Sequence, residues 1–362
     1  MNRSKNSVAL PGLIPLTADD DGPAHGGDDA AAAAWPDAPR PLLDLSTGIN
    51  PFGYPLPDLS DAMPCDDAWR RLPQRDAEIR LKQALVRYLD IPADSADTLV
   101  LAPGSQILIN QVPYLFRPRR VSVLSPTYGE HAPAWRQAGH DVVTVTSLHD
   151  FNDFDSILVI TNPNNPDGRI VERETLARIA ARMRGRNGVL VMDEAFADTL
   201  PDIGMAGTVR ELPVVVLRSF GKFFGLAGVR LGVLAAAPVA AAHMARRLGP
   251  WCVSGPALEI AARAYADAAW IAATRRHLVR AAKNLDTLLK RHGMEVTGGT
   301  SLFRYARHDR AAALRERLGA RGILVRGFAD RPDRLRFGLP ADDNSTQRLS
   351  HAFKEIMANV DT

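Results

Sequence analysis

The stretch SFGKFFGLAGVRLG, Ser219 to Gly232, sets one lysine among glycines and apolar side chains, with a serine three residues before it and an arginine eight after. Small and apolar neighbours disfavour an ammonium relative to the free amine. Lys222 is therefore prepared for nucleophilic attack on an aldehyde rather than for a solvated helix face. The residues leading into it, VVVLRS (214–219), are an apolar run ending in polar residues. They read as a buried strand that delivers the serine and the lysine at its carboxyl end.

Further runs of this kind lie on either side. TLVLAPG (98–104), VSVLSP (121–126), DVVTV (141–145), SILVITN (156–162), GVLVMDE (188–194) and RLGVLAAAP (230–238) read as buried strands. Between them lie amphipathic stretches such as GEHAPAWRQAG (129–139) and RETLARIAARMRG (173–185). Strands alternating with helices predict an α/β fold with a mostly parallel sheet, covered on both faces. Its chemistry belongs at the carboxyl ends of the strands. RLGVLAAAP follows its predecessor so closely that it is expected to run antiparallel. After Pro250 one long helix is expected over about 257–292, followed by SLFRYA, GILVRGF and RLRFGLP as short strands of a separate α+β unit. PLLDLSTGINP (41–51) is expected either to fold back onto that unit or to line the cleft.

Bulk properties narrow the class. The 362 residues are 46% hydrophobic and 23% charged, with a formal charge of +3 and a pI near 9.0. The arginines are scattered, without the dense basic block of a nucleic-acid surface. No apolar run reaches the roughly 18 residues of a membrane span. Two cysteines, Cys65 and Cys252, are too few and too far apart for a disulfide framework or a metal site, and a reduced cytoplasmic compartment is the default. SVALPGLIPL is broken by prolines and followed by aspartates, unlike a signal peptide; residues 1–22 read as a flexible tail.

Several residues stand where strands end. Asp193 follows an apolar strand in VLVMDEAF, where it would pair with a ring nitrogen or simply cap a turn. Asn162 and Asn165 lie in the proline-stiffened turn ITNPNNPDGRI. Gly104, Ser105 and Gln106, in LAPGSQILIN, form either an anion site of backbone N–H groups or an ordinary N-cap. Ser219 and Arg230 would complete a phosphate cup. Tyr128, in SPTYGE, would stack on a planar ring or pack as any half-buried aromatic.

Taken in order, these motifs resemble the fold-type I pyridoxal-phosphate enzymes, the aspartate-aminotransferase superfamily, over about residues 40–345. The resemblance implies a large cofactor-binding domain over 68–249 and a small domain built from 250–362, joined by 23–67. It implies that Lys222 holds the aldehyde of pyridoxal 5'-phosphate as a Schiff base, and that Asp193 keeps the pyridine nitrogen protonated so that the ring drains electrons from Cα. Asn165 would bond the phenolic oxygen. Gly104, Ser105, Gln106, Ser219 and Arg230 would hold the phosphate, and Tyr128 would stack on the ring. Arg336, in RLRFGLP, matches the arginine that grips the substrate carboxylate.

Within the superfamily, HGG (25–27), LDLSTGINP (43–51), RLPQRDAEIR (71–80) and GKFFGLAGVRLG are similar to the branch of threonine-phosphate decarboxylases of cobalamin biosynthesis. Histidinol-phosphate aminotransferases are the nearest alternative, and both imply a substrate bearing a phosphate. On this resemblance His25, Gly48, Asn50 and Arg326 join Arg336 as substrate-binding candidates, and a homodimer with a small phosphorylated amino-acid substrate is expected. Two departures stand out. Phe196 replaces a tyrosine that in many relatives bonds the phenolic oxygen. Leu72–Pro73 replaces a Tyr-Pro pair that reaches the neighbouring subunit's cofactor.

Overall fold

The computed structural model describes residues 34–56, 66–151 and 157–358. The expected tail over 1–22 and His25 lie outside the described residues.

Every apolar run of the central region forms a strand. The seven-stranded sheet contains β2 (Leu99–Ala102), β3 (Arg120–Leu124), β4 (Asp141–Val145), β5 (Ile157–Thr161), β6 (Val189–Asp193), β7 (Val214–Ser219) and β8 (Gly232–Ala235), in the order β2-β8-β7-β6-β5-β3-β4. A preceding two-residue strand, β1 (Leu43–Asp44), belongs elsewhere. Only β8 is reversed, antiparallel to both β2 and β7. The connection from β7 holds only the four-residue helix Phe220–Phe223 and a three-residue turn of helix, Ala227–Val229, and β8 returns beside β7.

Side chains alternate across the sheet and feed two cores. Leu190 and Met192 of β6 point into the larger one, which continues through Phe303, Phe337 and Phe353 into the carboxyl-terminal region. Val191 faces the other, with Val215, Leu217 and Trp135. Burying each such side chain contributes about 1.5–3 kcal/mol relative to leaving it exposed.

The carboxyl-terminal region adds β9 (Glu295–Thr300), β10 (Phe303–Arg307), β11 (Ile323–Leu324), β12 (Arg326–Gly327) and β13 (Arg334–Gly338). An antiparallel sheet runs β12-β13-β10-β9. β1 pairs in parallel with β11, Leu43 opposite Ile323, so the early segment folds back onto this unit. Its continuation through Ser46 and Thr47 lines the cleft, so both expectations for PLLDLSTGINP are met.

The single long helix expected after Pro250 is two helices, Gly255–Ala266 and Ala268–Arg291. Asp267 separates them, and its side chain accepts the backbone N–H of Trp270 at 2.9 Å. An N-cap aspartate in a non-helical conformation, φ −85° and ψ 77°, ends one helix and starts the next, which helical periodicity alone does not show. The first of the pair lies against helix Arg75–Tyr88.

Candidate active site

The carboxyl ends of β5, β6 and β7, the Ser105 turn, the Ser46–Thr47 segment and β11–β13 surround one cavity of about 1040 Å³. Lys222 enters from the four-residue helix Phe220–Phe223 that follows β7. Its Nζ donates to the Thr47 carbonyl at 3.0 Å and lies 5.8 Å from the centre of the Phe196 ring. Burial, and next the positive charge of Arg336, push its pKa from 10.5 down to about 8, against an opposing pull from Asp193. The lysine therefore gives up its proton far more readily than a solvated one, though it is still mostly an ammonium at neutral pH.

Asp193 ends β6 and is 3% exposed, which removes the surface-acid reading. Its Oδ1 accepts the Ala195 N–H at 3.0 Å, and its Oδ2 pairs with Nε2 of buried His131 at 2.9 Å. Each carboxylate oxygen keeps a lone pair for a further donor. His131 was not anticipated from the sequence. Its only signal was a histidine at the start of a helix beyond β3; the contact to a residue 62 positions later needs β5 lying between β3 and β6.

The asparagine turn sorts itself by hydrogen bonds. Asn162 spends its amide on Val171, donating at 3.0 Å and accepting at 2.9 Å. Asn164 is tied to Pro126 O, Asp167 and Thr127. Asn165 alone of the three lines the cavity, where its Oδ1 accepts from Arg336.

On the wall that β12 and β13 form, Arg336 is buried in β13, its guanidinium also donating to Ser46 O at 2.6 Å and lying 5.0 Å from the centre of the Phe303 ring. Burial, then Arg326, lower its pKa to about 10, and its Nε has no hydrogen-bond partner. Arg326 lines the same wall, 5.9 Å over Phe328, with its pKa lowered by burial and then by Arg315. Neither arginine has an ion pair among the described residues.

The phosphate-cup residues cluster at one end. Gly104 has φ +92°, and a Cβ there would lie 2.5 Å from a terminal nitrogen of Arg230, so only glycine lets the guanidinium lie against this turn. Arg230 itself sits in the left-handed region at φ 54°. Ser105 and Gln106 line the cavity, and Gln106 Oε1 accepts the Tyr128 hydroxyl at 2.9 Å. Burial, helped by Glu130 and Asp193, pushes the Tyr128 pKa up to about 12. The Ser219 hydroxyl makes no capping bond to the helix it precedes.

Two expected substrate-binding residues lie apart from the cavity wall. Asn50 is buried, donating to Phe223 O at 2.8 Å and accepting from Phe52 N at 2.9 Å, so its amide braces a turn. Gly48, at φ +62°, is wedged beside Phe196 and Phe303. The polar groups facing the cavity from this loop are instead those of Ser46 and Thr47.

A model of the class I and II aminotransferases matches residues 40–353. The chain belongs to that family. It is 42% identical over 338 residues to threonine-phosphate decarboxylase of Pseudomonas aeruginosa, covering 91% of this chain and 98% of that one. It is 31% identical over 307 residues to histidinol-phosphate aminotransferase of Thermobifida fusca, covering 78% and 82%. Among solved structures, histidinol-phosphate aminotransferase from Sinorhizobium meliloti in complex with pyridoxal-5'-phosphate superposes with a TM-score of 0.76 at 19% identity, covering 97% and 100%. The fold is shared at that distance, and the site of this chain fits the same cofactor. The Arg230 guanidinium lies against the Gly104 turn, and an amine and a buried carboxylate share one cavity, close enough for Asp193 to raise the pKa of Lys222.

Proposed function

We propose that this protein is a pyridoxal-phosphate-dependent carboxy-lyase that converts L-threonine O-3-phosphate to (R)-1-aminopropan-2-yl phosphate and CO2, a step of cobalamin biosynthesis. The observation that carries the reading is what one cavity brings together. It is lined by Lys222 and Asp193 and by two arginines without carboxylate partners, Arg336 and Arg326. A substrate with an amine and two separate anions matches that arrangement, and the relative at 42% identity is named for such a substrate.

In this reading Gly104, Ser105, Gln106, Ser219 and Arg230 would hold the cofactor phosphate, Tyr128 would stack on the ring and Asn165 would bond its phenolic oxygen. Phe196 has no hydroxyl to assist. Asp193, oriented by His131 and the Ala195 N–H, would keep a proton on the pyridine nitrogen. When bound, the cofactor supplies the electron sink for the pair left at Cα. Arg336 would grip the substrate carboxylate through its planar fork and so orient the substrate for loss of that group as CO2. Lys222 Nζ, as an ammonium, then returns one proton to Cα, which balances the departed CO2. Arg326 takes the substrate phosphate, and His25 is a second candidate for that contact.

The proposal includes a homodimer, whose interface would cover exposed apolar side chains such as Trp69, Leu72 and Trp251. It also includes a cytoplasmic location and the division into a large domain over 68–249 and a small one over 250–362 joined by 23–67.

Turnover separates this reading from a histidinol-phosphate-type aminotransferase. The holoenzyme given threonine phosphate and no keto acid is expected to release CO2 over many turnovers, and Lys222→Ala to release none. A single turnover that leaves the cofactor as pyridoxamine phosphate would overturn the decarboxylase reading.

A further inference from the structure

The cavity continues past Arg326 to a rim formed by helix Ala311–Gly319, Trp35 and Phe328. Arg315 projects onto this rim. Gly327 makes room for it: a Cβ there would lie 2.7 Å from Arg315 Cδ, so the arginine stem lies directly against β12, next to Arg326. The guanidinium lies 5.3 Å from the centre of the Trp35 ring. Trp35 Nε1 in turn donates to Glu316 Oε2 at 3.1 Å, and Glu316 Oε1 accepts from Arg315 at 3.1 Å. Stacking on an indole and pairing with a carboxylate held by that same indole fix a side chain that would otherwise sample many rotamers.

The charges of this rim do not balance. Arg326 and Arg315 are near enough that Arg315 pulls the Arg326 pKa down. Glu316 is committed to Trp35 and Arg315, and Asp330, on the same rim, pairs with Arg331 at 3.9 Å. Two guanidinium groups side by side at a cavity wall repel each other unless an anion sits between them. A phosphate monoester carries about −1.5 to −2 charges near neutral pH and accepts from several donors at once, so it satisfies a pair of arginines where a hydroxyl or a singly charged carboxylate does not.

We infer that Arg315 is a specificity-determining residue, completing with Arg326 a two-arginine clamp for the substrate's phosphate monoester, and that Trp35 and Glu316 position it. The clamp rests on the reading that the substrate bears a phosphate, and its test is separable from the reaction outcome. Titrating Lys222→Ala protein loaded with pyridoxal phosphate, which releases no CO2 on the proposed function, with threonine phosphate and with threonine, followed by cofactor absorbance, gives two dissociation constants without turnover. Arg315→Gln is expected to weaken threonine phosphate about three- to tenfold more than threonine. That selectivity loss should shrink as salt is raised. Glu316→Gln, which keeps an acceptor for Trp35 but removes the competing charge, is expected to tighten threonine phosphate. If Arg315→Gln weakens both ligands equally, or neither, the clamp is wrong even where the parent enzyme releases CO2. If selectivity falls as expected but the parent enzyme releases no CO2, the clamp stands and the decarboxylase reading falls.

Discussion

Arg218 and Arg336 are both strand arginines and both 5% exposed, yet their surroundings are opposite in sign. Arg218, at the end of β7, bonds Glu194 at 2.7 Å and also bonds Asp198, and Tyr88 donates to the same Asp198 oxygen at 2.7 Å. Burial alone would lower its pKa, but the two carboxylates raise it above the ordinary arginine value. Arg336 is given only a backbone carbonyl and an asparagine oxygen, and its pKa falls to about 10. Equal burial thus produces a structural bolt in one place and, on the proposed function, an anion receptor in the other. What differs is compensation: a buried cation supplied with counter-charges holds the fold, and one denied them is free to take up an anion.

The sharpest way to break this comparison is to remove each guanidinium in turn. Arg218→Met strands two buried carboxylates and is expected to cost about 3–5 kcal/mol in denaturant unfolding. Arg336→Met leaves no carboxylate stranded. Cofactor-free protein should then unfold within about 1 kcal/mol of the parent, while kcat/KM for threonine phosphate drops at least about a hundredfold. Matching stability losses in the two variants would mean that Arg336 is structural too. Arg336→Lys sharpens the same point: it keeps the charge but loses the fork, and about a tenfold deficit should persist.

The smallest effect concerns pH. The Lys222 ammonium loses its proton near pH 8, so the rate at which pyridoxal phosphate attaches to cofactor-free protein should rise through about pH 8 and level off above it. Arg336 is the largest neighbouring charge that lowers this pKa. In Arg336→Met the midpoint should therefore move to higher pH. An unmoved midpoint would place the two side chains in separate electrostatic environments.

The parallel core of the fold was legible because buried strands are written as apolar runs; DVVTV forms a strand over the very residues quoted, 141–145. The reversal of β8 was legible from the shortness of its connection. β9 was not, because EVTGGT carries glycines where a strand would carry β-branched residues. Those glycines answer to tertiary contact. A Cβ on Gly168 would lie 2.2 Å from Gly299 O, and one on Gly298 would lie 2.2 Å from Asp167 O. The asparagine turn of the large sheet therefore presses backbone to backbone on β9, where Gly299 N donates to Asp167 O at 2.8 Å. The same limit applies to the site. Lys222 and Asp193 were readable from strand ends, whereas His131 and the bracing use of Asn50 depend on contacts 62 and 173 residues away in the chain.

By itself the amino-acid order determined where the chain is buried and where polar groups emerge from strands, since apolar runs must leave water whatever their partners. It also set the chemistry on offer, an amine among apolar neighbours and a carboxylate closing a strand. Only the tertiary structure decided which arginine is neutralised and which is left waiting. Desolvation and counter-charge depend on the atoms within a few ångströms in space, and those atoms come from segments that the linear order keeps far apart.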